Sequence, residues 1–221
     1  MSKLYFRHGA MNSGKSTALL QAAYNYEERG QEVLLAKPRL DTKGDNDIVS
    51  RLGVTRAVDF TVGADEDIYD AFSRERARVQ RQKGKDVSCL LVDEAQFFSE
   101  SQVDDLLRIA IIEGVPVLAY GIRTDFQTVA FPGSRRLLEI AHSLEELKTI
   151  CRCGRKAMFN ARTVDGEFVF DGDQVAIDGV DVSYESLCGK CYLEESDGVL
   201  NNGRRPRAAF SYTEEPDPDF T

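Results

Sequence analysis

Gly9-Ala10-Met11-Asn12-Ser13-Gly14-Lys15-Ser16 sets a glycine, four residues and then Gly-Lys-Ser in one run. Glycines at that spacing let successive backbone N–H groups turn inward around phosphate oxygens. The lysine then reaches the outer phosphates of a triphosphate such as ATP, and the serine hydroxyl is offered to Mg²⁺. A second group capable of chemistry stands at Asp93-Glu94, directly after the apolar run Cys89-Leu90-Leu91-Val92. An acid at the end of a buried strand is the usual complement of such a loop. Asp93 is expected to hold Mg²⁺ through water, and Glu94 to take a proton from an attacking hydroxyl or to position a water. Taken alone, an Asp-Glu pair after a strand is equally a solvated turn; the loop upstream is what favours chemistry.

Four of the five cysteines form two close pairs, Cys151/Cys153 and Cys188/Cys191. Cys188-x-x-Cys191 has zinc-knuckle spacing. Cys151-Arg-Cys153 has one intervening residue where most zinc ribbons use two to four, and Gly154 directly after it permits the tighter turn. Four thiolates make a closed, structural Zn²⁺ site with no open position for catalysis, the alternative being four free thiols. Cys89 sits inside a strand pattern and reads as core. His8 and His142 have no partner at metal or triad spacing.

These groups can meet only if particular elements carry them. Leu4-Tyr5-Phe6 reads as a strand, and Lys15 to Arg29 as a helix with Ala18, Leu19, Ala22, Ala23 and Tyr26 on one face, stopped by Gly30. The loop therefore lies between a strand and a helix N-terminus, where the helix adds its positive end. Val33 to Ala36 reads as a second strand ended by Pro38, and Asp41 to Gly53 as a charged loop. Asp67 to Gln82 reads as a polar helix, Val87 to Val92 as a central parallel strand, Ser99 to Ile112 as an amphipathic helix, and Val115 to Tyr120 as a further strand. A helix over Ser134 to Ala141 follows. The alternation predicts an α/β domain with a parallel sheet. Beyond it, short β-like runs broken at Asp165-Gly166, Gly172-Asp173 and Asp178-Gly179 indicate a smaller β-rich domain. The expected division is 1–144 for nucleotide binding, 145–195 for the zinc-binding domain, and 196–221 as a disordered, Asn/Gly/Pro-rich tail.

The 221 residues carry a net charge of −9. That balance argues against a broad nucleic-acid surface, which needs clustered Lys and Arg. No apolar run reaches membrane-spanning length and the first twenty residues lack a signal-peptide pattern, so a cytoplasmic protein without membrane attachment is expected.

With these motifs in hand, the chain resembles the thymidine kinases of the cellular, zinc-containing type, in a bacterial form, from Leu4 to about Tyr192. The resemblance rests on GAMNSGKST, DEAQFF (93–98), YGIRTDFQTVAFPGS (120–134), ELKTIC (146–151) and YESLCGKCY ending at Tyr192. It implies a P-loop (RecA-like) parallel sheet with helices on both faces and a small zinc domain bearing a lasso loop. It also implies transfer of the ATP γ-phosphate to the 5′-hydroxyl of thymidine, giving dTMP in deoxynucleoside salvage, with Glu94 as general base. Residues 9–16 and Asp93, Glu94, Ala95 and Gln96 would then serve the nucleotide. Met11, Phe97, Phe126, Phe131 and Tyr184 would wall the nucleoside, although Phe97, Phe126 and Phe131 read singly as ordinary core.

The base would be held by backbone groups of the lasso, Val175, Ala176, Ile177, Asp178 and Gly179. Lys43 stands where the family usually carries Arg near the nucleotide, either as a phosphate contact or as a solvated loop lysine. Arg123 either neutralises transferred charge or pairs with Asp125. Deoxyuridine as a second acceptor, dTTP as feedback inhibitor and a homotetramer are implied by the resemblance alone. The competing reading is a zinc-ribbon P-loop ATPase that works on nucleic acid or protein.

Overall fold

The computed structural model describes residues 1–39, 47–49, 53–172 and 182–200. In chain order the first part comprises β1 (Leu4–His8), α1 (Lys15–Glu27), β2 (Glu32–Pro38), β3 (Asp47–Val49), β4 (Thr55–Ala57), β5 (Phe60–Val62), α2 (Ile68–Lys83) and β6 (Val87–Val92). A 3₁₀ turn (Ala95–Phe97) then leads to α3 (Glu100–Ile112), β7 (Val117–Gly121), α4 (Pro132–Ile140) and β8 (Ser143–Glu146). The remainder is β9 (Thr149–Ile150), β10 (Lys156–Ala157), β11 (Phe159–Val164), β12 (Glu167–Val169), β13 (Val182–Leu187) and α5 (Gly189–Glu195).

Six strands form one parallel sheet in the order β5-β2-β6-β7-β1-β8. The continuous apolar runs of β2, β6 and β7 supply both of its faces, because successive side chains point to opposite sides. Leu34, Ala36, Leu90, Val92, Val117 and Ala119 pack under α2, α3 and α4. Val33, Leu35, Cys89, Leu91, Leu118 and Tyr120 pack under α1. Helices thus cover both faces, and β6 lies centrally, as its composition predicts.

Helix ends follow local chemistry. The Asp67 carboxylate accepts the N–H groups of Tyr69 and Asp70 to start α2, and Ser99 with Gln102 forms a capping box at α3. The strands β5 and β8 are the pieces that sequence reading misses. Each is an edge strand of three or four residues, too short for a periodic signal, and each is recruited by the exposed ladder of its neighbour. Likewise Asp47–Val49, inside the expected charged loop, pairs antiparallel with Thr55–Ala57, with Ile48 buried on the α1 side of the sheet. β8 crosses the anticipated boundary at residue 144 and ends with Glu146.

The smaller unit contains the antiparallel sheet β12-β11-β13, the β9-β10 pair and α5. Ala157, Ala161, Leu187 and Tyr192 form its own core beside the cysteines. Ser196–Leu200 fall within the compositional tail. Here Ser196 N–H bonds Tyr192, and Gly198, in the left-handed conformation, bonds the carbonyl of Leu193 to close α5. Residues 201–221 lie outside the described residues.

Candidate active site

The phosphate loop leaves β1 and enters α1 as its spacing predicts. Asn12 (φ 65°) and Gly14 (φ 78°) take left-handed backbone conformations that turn the loop. A Cβ on Gly9 would lie 2.4 Å from the Leu147 carbonyl oxygen, so only glycine fits where the loop passes the chain just after β8. The first turn of α1 carries no acid, which leaves the helix's positive end available to an anion. Lys15 Nζ donates to the carbonyls of Gly9 (3.2 Å) and Ala10 (2.9 Å), folded across the loop it is expected to serve.

Ser16 Oγ lies 3.5 Å from Asp93 Oδ2 at the end of β6, so the two expected Mg²⁺ groups converge although 77 residues separate them. The donor set, one hydroxyl and one carboxylate beside a triphosphate loop, fits a hard cation that retains several waters. Burial foremost, and then the Glu94 charge, push the Asp93 carboxyl up to about 7, against the opposing pull of Lys15 and Lys37. A folded-state value above the ordinary 3.8 means that the native protein keeps a proton the unfolded chain releases. The cation-free protein should therefore lose stability as pH rises from about 4 to about 7. Asp93→Asn removes that loss. Its thermal midpoint at about pH 8 should exceed that of the unaltered protein by several degrees, and the gap should close toward about pH 5; a difference that does not change with pH would refute this cause.

Glu94 follows in a left-handed conformation (φ 51°), uncommon for a residue with a side chain and tolerated where function needs a sharp turn. The turn sends Glu94 toward solvent-accessible space, while Ala95 and Gln96 tuck inward. The Gln96 amide donates to Glu94 Oε2, and its oxygen accepts the Ile122 N–H at 3.2 Å. This buried amide ties the carboxylate to the end of β7. Gly121 and Gly133 make room for the turn: a Cβ on Gly133 would meet the Ala95 and Phe98 carbonyl oxygens at 2.5 and 2.7 Å.

Two cavities meet at this point. The larger, about 990 Å³, is lined by residues 11–16, the start of α1, Glu94, Ile122 and Tyr184. The smaller, about 260 Å³, is walled by Met11, Glu94, Phe97, Phe126, Phe131 and Tyr184. Phe97 meets Phe131 edge-on at 5.4 Å. Met11, Glu94, Ile122 and Tyr184 belong to both walls, so Glu94 stands where a group held in one cavity faces a group held in the other.

Five residues that sequence reading groups as aromatic wall or loop, scattered from 11 to 184, are thereby brought together. Asp125 and Asn160 also line the smaller cavity. Asp125 caps its own loop by accepting the N–H groups of Gln127 and Val129. Asn160 is the one polar residue facing inward in Met158-Phe159-Asn160-Ala161; the sequence shows that anomaly but not what it faces. Ala95, expected at the nucleotide, is buried and lines neither cavity, while Gln96 lines the smaller. Arg123 borders a separate cleft behind the loop with His8, Gly9, Ala10 and Glu146. His142 Nδ1 accepts the Leu4 N–H and is structural. Lys43 and 175–179 lie outside the described residues.

The four cysteine sulfurs lie within 4.8 Å of one another. Tetrahedral Zn²⁺ with Zn–S near 2.3 Å requires sulfurs about 3.8 Å apart, and Cys153 Sγ lies 3.5 Å from Cys188 Sγ. The contracted pair closes because Gly154 (φ 85°) turns the chain back and donates to the Cys151 carbonyl. Donor chemistry and spacing fit a structural zinc. Cys89, by contrast, is buried in β6, its thiol pushed up to about 12 by burial.

Known proteins are similar in sequence over most of the chain. The thymidine kinase family model matches residues 2–192. A thymidine kinase of Idiomarina loihiensis is 49% identical over 197 residues, covering 88% of this chain and 97% of its own length. That of Enterobacteria phage T4 is 44% identical over 196 residues, with coverage of 88% and 97%. One from Legionella pneumophila is 46% identical over 190 residues, with coverage of 85% and 88%. Sequence, loop, acid pair and thiol cluster lead to one conclusion: this chain belongs to the thymidine kinase family.

Proposed function

We propose that the chain transfers the γ-phosphate of ATP to the 5′-hydroxyl of thymidine, giving dTMP and ADP. The single observation that carries the reading is Glu94 in the shared wall of two cavities, one lined by the phosphate loop and one by aromatic rings. Residues 11–16 hold the triphosphate through backbone N–H groups and the α1 N-terminus, and Lys15 swings from its carbonyl contacts onto the outer phosphates. Ser16 and Asp93 hold Mg²⁺, which supplies charge neutralisation and orientation of the transferred group. Phe97, Phe126, Phe131 and Tyr184 hold the flat base and exclude water, and 175–179 supply backbone groups to its edge. Glu94, oriented by Gln96, accepts the hydroxyl proton. Transfer then depends mostly on positioning and charge.

The unit from about 145 to 195 carries the zinc and one wall of the nucleoside site, and 1–144 carries the nucleotide machinery. The same reading includes a homotetramer, inhibition by dTTP, tolerance of deoxyuridine and a cytoplasmic location; among the described residues no helix is long and apolar enough to cross a membrane. Incubation of the protein with γ-labelled ATP and thymidine, deoxyuridine, deoxycytidine or water alone tests the assignment. Label should appear on thymidine. Label released only as inorganic phosphate would refute the kinase reading in favour of a hydrolytic ATPase.

A further inference from the structure

Asn160 and Ser186 are directly opposed residues of the β11-β13 ladder. Both are buried, and both reach out of the small unit to the backbone of one residue of the phosphate loop, Met11. Asn160 Oδ1 accepts the Met11 N–H at 2.7 Å, and the Ser186 hydroxyl donates to the Met11 carbonyl. The Asn160 amide also donates to the Thr124 carbonyl (3.2 Å), beyond the end of β7. Two residues along the same face, the next rung pairs Arg162 with Tyr184. Arg162 lies over the Phe126 ring at 3.7 Å and donates to the Tyr184 hydroxyl at 3.2 Å. One sheet face thus grips the nucleotide loop with one rung and backs two walls of the nucleoside cavity with the other.

We propose that this face couples the two sites, with Ser186 and Asn160 as positioning residues that set the Met11 backbone, through the peptide groups on either side of it, according to what occupies the nucleoside cavity. Met11 belongs to both cavity walls, so a shift of its backbone is felt by triphosphate and nucleoside together. A nucleoside pressing on Phe126 and Tyr184 orders the Arg162 rung. The adjacent rung then holds Met11 in the geometry that accepts phosphate. Ser186 lines neither cavity, so its influence on either ligand passes through Met11.

The coupling rests on the assignment of the smaller cavity to thymidine, and titration calorimetry separates the two claims. Affinity for a non-hydrolysable ATP analogue with Mg²⁺ is measured with and without saturating thymidine. In the unaltered protein thymidine should tighten the analogue by about 5-fold or more. Ser186→Ala should bring that factor close to one. Ser186→Thr, which keeps the hydroxyl, should restore most of it, and Asn160→Ala combined with Ser186→Ala should add little to the single change. A purely structural role would lower the thermal midpoint of Ser186→Ala yet leave the factor unchanged, and that result overturns the proposal. An unaltered protein that binds both ligands independently overturns the coupling alone; failure to bind thymidine at all removes the cavity assignment and the coupling with it.

Discussion

Glu94→Gln should lower phosphoryl transfer to thymidine by about 10²–10⁴-fold while ATP binding changes little. The substitution keeps the side chain's shape and its left-handed backbone position. It also keeps an oxygen that can accept the Gln96 amide, so the wall between the two cavities is preserved. What is lost is basicity at the one carboxylate among the described residues that faces both cavities. Asp93 cannot substitute for it: it is buried behind the loop, lines neither cavity and is directed at Ser16. Rapid-quench transfer of label from ATP in a single turnover measures the loss, and calorimetry with ATP checks that binding survives. Transfer at the rate of the unaltered protein would mean that the proton goes elsewhere and would displace Glu94 from its role.

Removing the zinc should have the largest effect on stability. Four thiolates around one ion contribute about 10–16 kcal/mol in small zinc peptides. Among the described residues, the unit that they would staple has a small apolar core of Ala157, Ala161, Leu187 and Tyr192 with Phe159, Phe168 and Phe170 packed against it. Such a core is too small to hold the unit alone. Metal analysis should find one zinc per chain. Chelation, or Cys151→Ser, should abolish hydrogen-exchange protection in β11, β13 and α5 while the parallel sheet, with its own two-sided core, keeps its protection. Thymidine binding should suffer more than ATP binding, because Tyr184 and Asn160 come from the stapled unit whereas Lys15, Ser16 and Asp93 do not. A zinc-free protein with intact protection in β13 would show that no metal holds this unit together.

Much of the site is legible in one dimension because its parts are local. Residues 9–16 are proposed to act through their own backbone and the helix they begin, so spacing suffices to find them. The pair Asp93-Glu94 is visible because a doubly buried strand has a distinctive apolar run and an acid at its end is conspicuous. Cysteine pairing is visible because a small unit with few apolar residues has little else to hold it. The edge strands β5 and β8 are not legible, since three or four residues carry no periodicity and their pairing is imposed by a neighbour's unpaired ladder.

The amino-acid sequence by itself determined the phosphate loop, the order of the longer strands and helices in the α/β part, the acid pair and the thiol set. Each depends on residues near one another in the chain or on a hydrophobic period. Only the tertiary structure decided that Met11 is shared by two cavities, that Gln96 holds Glu94, that Arg123 faces a cleft behind the loop, and that Asn160 and Ser186 close on the backbone of one residue of that loop. Those relations join residues up to 175 positions apart. The longest of them arise from how the small unit docks on the parallel sheet, and neither local propensity nor spacing encodes them.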